Sequence, residues 1–416
     1  MEEKIKIIKN FTDSREWAFH ENRMLEHIDF LTKYGNPYFV AHESALKDTS
    51  IVDGKEIINF GSYNYLGLSG DPEVNQAAKD AIDKYGTSAS GSRLLTGEKP
   101  LYRHLEEAIA KWKHTEDAIV LVGGHSTNVT FVGNFCNEND LILYDIIVHN
   151  SITEGLRMSK AKSKRFSHND YEMLERLVEK NRDKYEKILI IVEGVYSMDG
   201  DIAPIDEFVR IKKKYGCFLM VDEAHSAGTI GPNGGGVDDY FDLKPGDIDI
   251  KMGTMSKALG TVGGYLAGSK ELIEFLKFNL PGFVFSVGAS PAVAGACLKS
   301  IEIIQRDNSR VKKLQENVEI FVREAKKRGF DTCLAEKSPI TPIMIGDEEL
   351  AFKLCMTMLN EDGISVPPAI YPAVPKKRAR LRYCLTSDHK EEQIIYALDV
   401  LKKRMDEFTK DKADEQ

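Results

Sequence analysis

The sequence predicts an α/β fold: a large domain built on a mostly parallel, doubly covered β-sheet, joined to a smaller α+β domain. Three observations predict it. Short runs at 118–122, 141–144, 188–192, 218–221, 248–252 and 265–267 are β-rich and almost wholly apolar. Helical stretches such as 170–180 and 205–214 separate several of them. Strands with no polar face belong to a sheet covered on both sides, and strand–helix–strand alternation makes that sheet parallel. From about residue 300 the texture changes to helices mixed with isolated strands. The expected limits are 1–60 for an N-terminal arm with its first strands, 61–298 for the large domain and 299–416 for the small one.

The elements follow in order. Residues 12–34 carry Trp17, Met24, Leu25, Ile28 and Leu31 at helical spacing, closed by Gly35 and Pro37. Residues 51–58 read as two strands around Asp53-Gly54, a strong hairpin signal. Asp71 is a good helix N-cap and Pro72 a good first-turn residue. Val74, Ala77, Ala78, Ala81, Ile82 and Tyr85 then share one face, and Gly86 ends it. A second helix spans 101–112, before the alternating section. Beyond it come a long helix over 300–328, a strand at 340–345 and a helix at 348–359. Strands at 364–366 and 380–385 and a last helix over 389–408 complete the chain, with a charged tail expected to fray.

Composition excludes several functions. The 416 residues hold 56 Lys and Arg against 65 Asp and Glu, a net charge of −9, so nucleic acid is not an expected partner. No apolar run approaches the ~18–20 residues of a membrane span. Met1-Glu2-Glu3-Lys4 does not open a secretory leader. The six cysteines (136, 217, 297, 333, 355, 384) are scattered without a CxxC pair, which suggests reduced, buried thiols and no metal site. A cytoplasmic enzyme is the expectation.

Five patches carry chemistry. Asp222-Glu223-Ala224-His225 follows an apolar strand, and ligands of open α/β sheets sit at the carboxyl ends of strands. Lys257 lies in Gly253-Thr254-Met255-Ser256-Lys257, again at a strand end, where desolvation makes an amine nucleophilic toward carbonyls. Gly123-Gly124 precedes a helix start, a place for backbone N–H groups to hold a phosphate. His149-Asn150-Ser151 follows the 141–144 strand, and Arg380-Leu381-Arg382 offers a two-point clamp for a carboxylate. Taken singly, each has a plainer reading: a turn cap, a surface lysine, a structural histidine, exposed strand charges. Gly124-His125-Ser126-Thr127-Asn128 also approaches the G-x-S-x-G elbow of serine hydrolases, with Asn128 in the last glycine's place. Together, a phosphate-binding helix start, an acid for a protonated ring nitrogen, a histidine to cover a ring and an amine for a carbonyl are what pyridoxal phosphate needs.

The ordered motifs go further. Ser62-Tyr63-Asn64-Tyr65-Leu66-Gly67, Gly91-Ser92-Arg93, His149-Asn150-Ser151-Ile152, Glu193-Gly194-Val195-Tyr196-Ser197-Met198-Asp199-Gly200, Val221 to His225, Gly253 to Lys257, and Leu381-Arg382 resemble the α-oxoamine synthase family of fold-type I pyridoxal-phosphate enzymes. The resemblance covers about residues 55–390. It implies a fold-type I transferase with a seven-stranded sheet. It also implies decarboxylative condensation of a small α-amino acid with an acyl-CoA or acyl-carrier-protein thioester, giving an α-aminoketone. Lys257 would hold the cofactor and later move the substrate's α-proton. Asp222 would pair with the ring nitrogen, His149 stack on the ring and His225 bond its phenolic oxygen. Gly124, His125 and Thr254, with Ser197 and Ser256, would complete the cofactor's surroundings. Ser286 would reach the phosphate of a neighbouring subunit, implying a homodimer with shared sites. Arg382, with Asn64, Tyr65 and Arg93, would meet the substrate. Ser256 before Lys257, and Glu193-Gly194, match the serine palmitoyltransferase subgroup, so serine is the first expected amino acid, ahead of glycine and alanine. The alternatives are 8-amino-7-oxononanoate synthase or a glycine or alanine C-acyltransferase. More remote are a serine hydrolase using Ser126 and an inactive partner subunit.

Overall fold

The structure, a computed structural model, describes residues 9–414, so Met1-Glu2-Glu3-Lys4 lies outside it. A 3-10 turn at Phe11–Asp13 precedes helix α1 (Arg15–Tyr34), capped by the Ser14 hydroxyl. The side chains of 19–28, which include Met24, Leu25 and Ile28, are outside the described set. Strands β1 (Thr49–Val52) and β2 (Lys55–Asn59) form the expected hairpin. Asp53 and Gly54 both adopt positive φ, +48° and +71°, as the tight turn of a twisted two-stranded ribbon requires. Asp71 accepts from the N–H groups of Glu73 and Val74 and starts α2 (Pro72–Tyr85). Helix α3 (Pro100–Trp112) follows.

The alternating section then runs β3 (Asp117–Leu121), α4 (Gly124–Phe135), β4 (Leu141–Asp145), α5 (Asn150–Met158), β5 (Lys162–Phe166), α6 (Tyr171–Asn181), β6 (Ile188–Glu193), α7 (Ile205–Tyr215), β7 (Phe218–Asp222), α8 (Val237–Phe241), β8 (Ile250–Thr254) and β9 (Gly264–Gly268). Seven strands form one sheet in the order β3-β9-β8-β7-β6-β4-β5. All are parallel except β9, which runs against both β3 and β8. Alternate residues of one strand feed two different layers. On β6, Ile188, Ile190 and Val192 join one apolar cluster, while Leu189 and Ile191 join another with Phe131 of α4 and Ile152 of α5. The sheet is covered on both faces, and its parallel strands all deliver their carboxyl ends to one edge.

Helices α9 (Lys270–Asn279), α10 (Pro281–Val284), α11 (Pro291–Arg306) and α12 (Ser309–Lys327) lead out of the sheet. The single helix expected over 300–328 is therefore two. Asp307 is extended at φ −149°, which ends the first helix, and its carboxylate accepts from the Ser309 N–H at the start of the second. The small sheet contains β10 (Ile340–Gly346), β12 (Pro368–Ala369) and β13 (Ala379–Cys384), with α13 (Glu348–Asp362) and α14 (Glu391–Asp414) around it. The last helix runs on to Asp414, through the tail expected to fray. Strand β11 (Ile364–Ser365) leaves this group and pairs in parallel with β2.

Candidate active site

The carboxyl edge of the large sheet gathers the predicted residues. Helix α4 begins there with no side-chain cap on its first turn, so the N–H groups behind Gly123 are open to an anion. A side chain at Gly124 would stand 2.7 Å from Thr254 Oγ1, which is why glycine is needed at this close approach. Thr254 Oγ1 is 2.7 Å from Ser256 Oγ and donates to the Gly263 carbonyl at 3.1 Å. Two hydroxyls thus face a helix start, the surroundings a phosphate takes. His125 is exposed beside them, its ring 6.2 Å from that of His149 and steeply inclined to it.

Asp222 ends β7 and is buried. Its Oδ2 accepts from Asn128 Nδ2 at 2.7 Å and its Oδ1 from the Ala224 N–H at 2.9 Å. Asn128 Nδ2 also donates to Ser151 Oγ at 2.9 Å, and that hydroxyl lies 2.8 Å from His149 Nδ1. Asp222, Asn128, Ser151 and His149 form one chain of hydrogen bonds. Sequence reasoning missed Asn128 as a site residue; its place one turn after Gly124 on a helix aimed at the strand ends was the available signal. His149 caps α5, and its N–H donates to Glu193 Oε1. Burial lowers the His149 pKa, partly opposed by Asp222, so the ring is held neutral.

Lys257 follows β8 in a turn closed by the Gly260 N–H on the Lys257 carbonyl. Its ammonium makes no hydrogen bond among the described residues. Burial pulls its pKa below the usual lysine value, while Asp222 and Glu193 pull the other way. Burial and the nearby Asp222 charge push Glu193 well above the ordinary carboxylate range. His225 Nδ1 lies 2.8 Å from the Tyr65 hydroxyl. Burial holds that imidazole neutral, helped by the Lys257 and Arg382 charges, and burial likewise keeps the Tyr65 phenol protonated.

Arg382, on β13, is buried, donates Nε to the Ser197 carbonyl at 2.6 Å and lies over the Tyr63 ring at 5.0 Å. No carboxylate among the described residues pairs with it. Its neighbour Arg380 differs, bonding Met198 O and the Asp199 carboxylate at 2.9 and 2.7 Å. Ser197 meets Arg382 through its backbone.

Three expectations change. Arg93 is not a free substrate group: Glu98 and Glu106 take up its guanidinium, and it packs on Tyr102 and Phe283. Asn64 uses both ends of its amide on the loop, donating to Leu46 O and Ser69 O and accepting from Ser69 N. Ser126 donates to Gly123 O at 3.0 Å and no histidine among the described residues bonds it, so the hydrolase reading has no base there. Ser286 has its hydroxyl 3.3 Å from the adjacent Val287 carbonyl, in a segment where Phe285 is 87% exposed.

The residues present fit pyridoxal phosphate: an open helix start with two hydroxyls, a buried carboxylate, and a half-buried amine with no hydrogen-bond partner among the described residues. A profile of Aminotransferase class I and II matches residues 55–401. The chain belongs to that family. Among curated relatives, this aminotransferase-family chain is 40% identical over 356 residues to the 8-amino-7-oxononanoate synthase of Symbiobacterium thermophilum, covering 86% of this chain and 90% of the relative. It is 41% identical to that of Fervidobacterium nodosum over 356 residues, with 85% and 89% covered. The solved Sphingomonas wittichii serine palmitoyltransferase superposes with a TM-score of 0.89 at 30% identity, covering 95% of this chain and 98% of that one. Family membership carries the seven-stranded fold-type I architecture, pyridoxal-phosphate dependence and the C-acyltransferase class of α-oxoamine synthases. Among the described residues there is no metal-ligating cluster, and no helix is long and apolar enough to cross a membrane.

Proposed function

We propose that this enzyme condenses a small α-amino acid with an acyl thioester, with loss of carbon dioxide, to give an α-aminoketone. One observation supports this above the rest: Arg382, a buried arginine of the small sheet, reaches the loop after β6, lies near enough to Lys257 to act on its charge, and has no carboxylate partner among the described residues. A buried guanidinium of that kind is made for a substrate carboxylate, with a two-point geometry that fixes its orientation.

The bound cofactor supplies an electron sink for charge on the amino acid's α-carbon. Asp222 keeps a proton on the ring nitrogen, and the Asn128 amide keeps Asp222 oriented. Lys257 removes the α-proton as a neutral amine, the state its burial favours. Arg382 turns the carboxylate so that the bond to be broken is aligned. His149 covers the ring, and the Ser151 hydroxyl fixes its tautomer. His225, neutral and bonded to Tyr65, meets the phenolic oxygen. Gly124, His125, Thr254 and Ser256 take the phosphate. Phe285 and Ser286 bring a second copy of the chain to that phosphate, so the working unit is a homodimer.

For the amino acid, Ser256 and Glu193-Gly194 favour serine, in keeping with the structural likeness to a serine palmitoyltransferase. The curated sequence relatives support a second reading. Their product, 8-amino-7-oxononanoate, is itself an α-aminoketone, with amine and ketone on adjacent carbons. Titrating the yellow holoenzyme with serine, glycine and alanine and following its visible spectrum decides the choice. Lys257→Ala should abolish turnover and the borohydride-trapped cofactor adduct; trapping retained in the variant would move the role to another residue.

A further inference from the structure

We propose that His168 is a positioning residue for Arg382: clamped between Asp145 and Asp201, it anchors the loop whose carbonyl sets the guanidinium. The inference rests on Arg382 as the seat of the amino acid's carboxylate.

The loop after β6 is a tight reversal, with Val195 bridged to Ile202 and the Gly200 N–H on the Tyr196 carbonyl. Its tip presents the Ser197 carbonyl to Arg382 and Met198 O with Asp199 to Arg380. These contacts come from the small sheet and pull the loop one way. Gly200 is pressed against that sheet as well, accepting from Ser338 Oγ at 2.7 Å.

On the opposite side stands His168. Its Nδ1 is 3.1 Å from Asp145 Oδ2 and its Nε2 3.0 Å from Asp201 Oδ2. Carboxylates only accept, so the contacts to Asp145 and Asp201 make both ring nitrogens donors and the ring an imidazolium; the Asn169 Nδ2 amide, 3.2 Å from Nε2, spends its proton on Asp201 Oδ2 instead. Burial opposes the charge, but the hydrogen bonds to Asp145 and Asp201 outweigh it and push the pKa up to about 10. Asp145 is wholly buried at the end of β4, where it also accepts from the Ile147 and Asn169 N–H groups. Asp201 also accepts from Asn169 Nδ2 at 2.7 Å, and Tyr196 packs its ring edge-on to His168 at 4.5 Å. The cation ties the end of β4 to the base of the Arg382 loop. Neither Asp145 nor Asp201 has another cationic side chain bonded to it among the described residues, so one side chain holds both.

The test compares loaded wild-type enzyme with His168→Gln and Asp201→Asn. Each is titrated spectroscopically with glycine, alanine and serine, then with methylamine, ethylamine and ethanolamine, which lack the carboxylate. Misplacing Arg382 should weaken the amino acids at least about tenfold and leave the amines unchanged. In the cofactor-free proteins, hydrogen exchange should quicken at 194–201 and stay slow in the large sheet. Equal weakening of amino acids and amines, or no weakening, overturns the proposal. Arg382→Lys serves as the control. If it fails to erase the preference for amino acids over amines, the carboxylate reading itself has failed. If it does erase it while the His168 and Asp201 variants keep wild-type affinities, the clamp alone is wrong.

Discussion

At position 124 a hydrogen is all the space allows. Helix α4, proposed to receive the phosphate, comes so close to Thr254 that a methyl group would press on both its hydroxyl and its Cβ, at 2.7 and 2.9 Å. Gly124→Ala must push α4 away from β8, at a cost of about 1–3 kcal/mol. Its expected result is cofactor held roughly tenfold or more weakly, read by absorbance after gel filtration at falling pyridoxal-phosphate concentration. Lys257, Asp222 and His149 were legible as a set, because each stands at or just after an apolar strand; taken singly, each had a plainer reading. Arg93 was not. Its partner Glu106 is on α3, which the motif around Arg93 does not contain, and Glu106 also accepts from the Val120 N–H to tie α3 to β3. A chain read locally sees a free guanidinium; the fold supplies the two carboxylates.

Elements were legible where burial left a pattern. Strand β5, Lys-Ser-Lys-Arg-Phe, has four exposed residues out of five, because it is the sheet's edge. An edge strand is guarded by charge, and charge hides it from a search for apolar runs. Strand β8 presents the opposite case, a lysine inside an apolar strand. Lys251 is buried, donates to Asp238 Oδ2 at 2.6 Å and to the Lys113 carbonyl at 2.7 Å. Lys113 in turn pairs with Glu223 at 2.7 Å, both fully buried. This network fastens α3, α8 and β8 beneath the Asp222 turn. Asp238→Ala strands a buried cation and should lower stability by about 3–5 kcal/mol, whereas the double replacement Asp238→Leu with Lys251→Met should be far milder. Urea midpoints of the three proteins check this, and equal losses would contradict it.

Across the whole molecule two predictions follow from what is buried and what is not. His389 is fully buried, stacked on Phe60 at 4.5 Å, and burial lowers its pKa to about 4. The unfolded chain takes up that proton near the ordinary value of about 6.5. The contribution is complete above that pH and is lost as pH falls from there toward 4, by up to about 3 kcal/mol. His389→Gln should flatten the acid side of the stability profile over that interval, measured by urea unfolding at stepped pH. The second concerns a surface. Ser92 bridges to Val287, and Leu94, Leu95, Phe285 and Val287 leave one apolar patch across the paired segments, Phe285 and Leu95 at 87% and 80% exposure. A second copy should cover it. Phe285→Asp is expected to shift the sedimenting species from dimer to monomer and to weaken cofactor retention with it.

The parallel pairing of β2 with β11 sets an order of events for the growing chain. Ile58 is made before the seven-stranded sheet, and its ladder partner Ile364 after it. The hairpin therefore leaves the ribosome with one hydrogen-bonding edge open and waits through synthesis of the entire cofactor-binding sheet before its own sheet is complete. Contacts so distant in sequence form slowly, and an unpaired edge invites foreign strands meanwhile. For this enzyme, nascent-chain vulnerability is concentrated at the hairpin, and it ends only when β11 has been made.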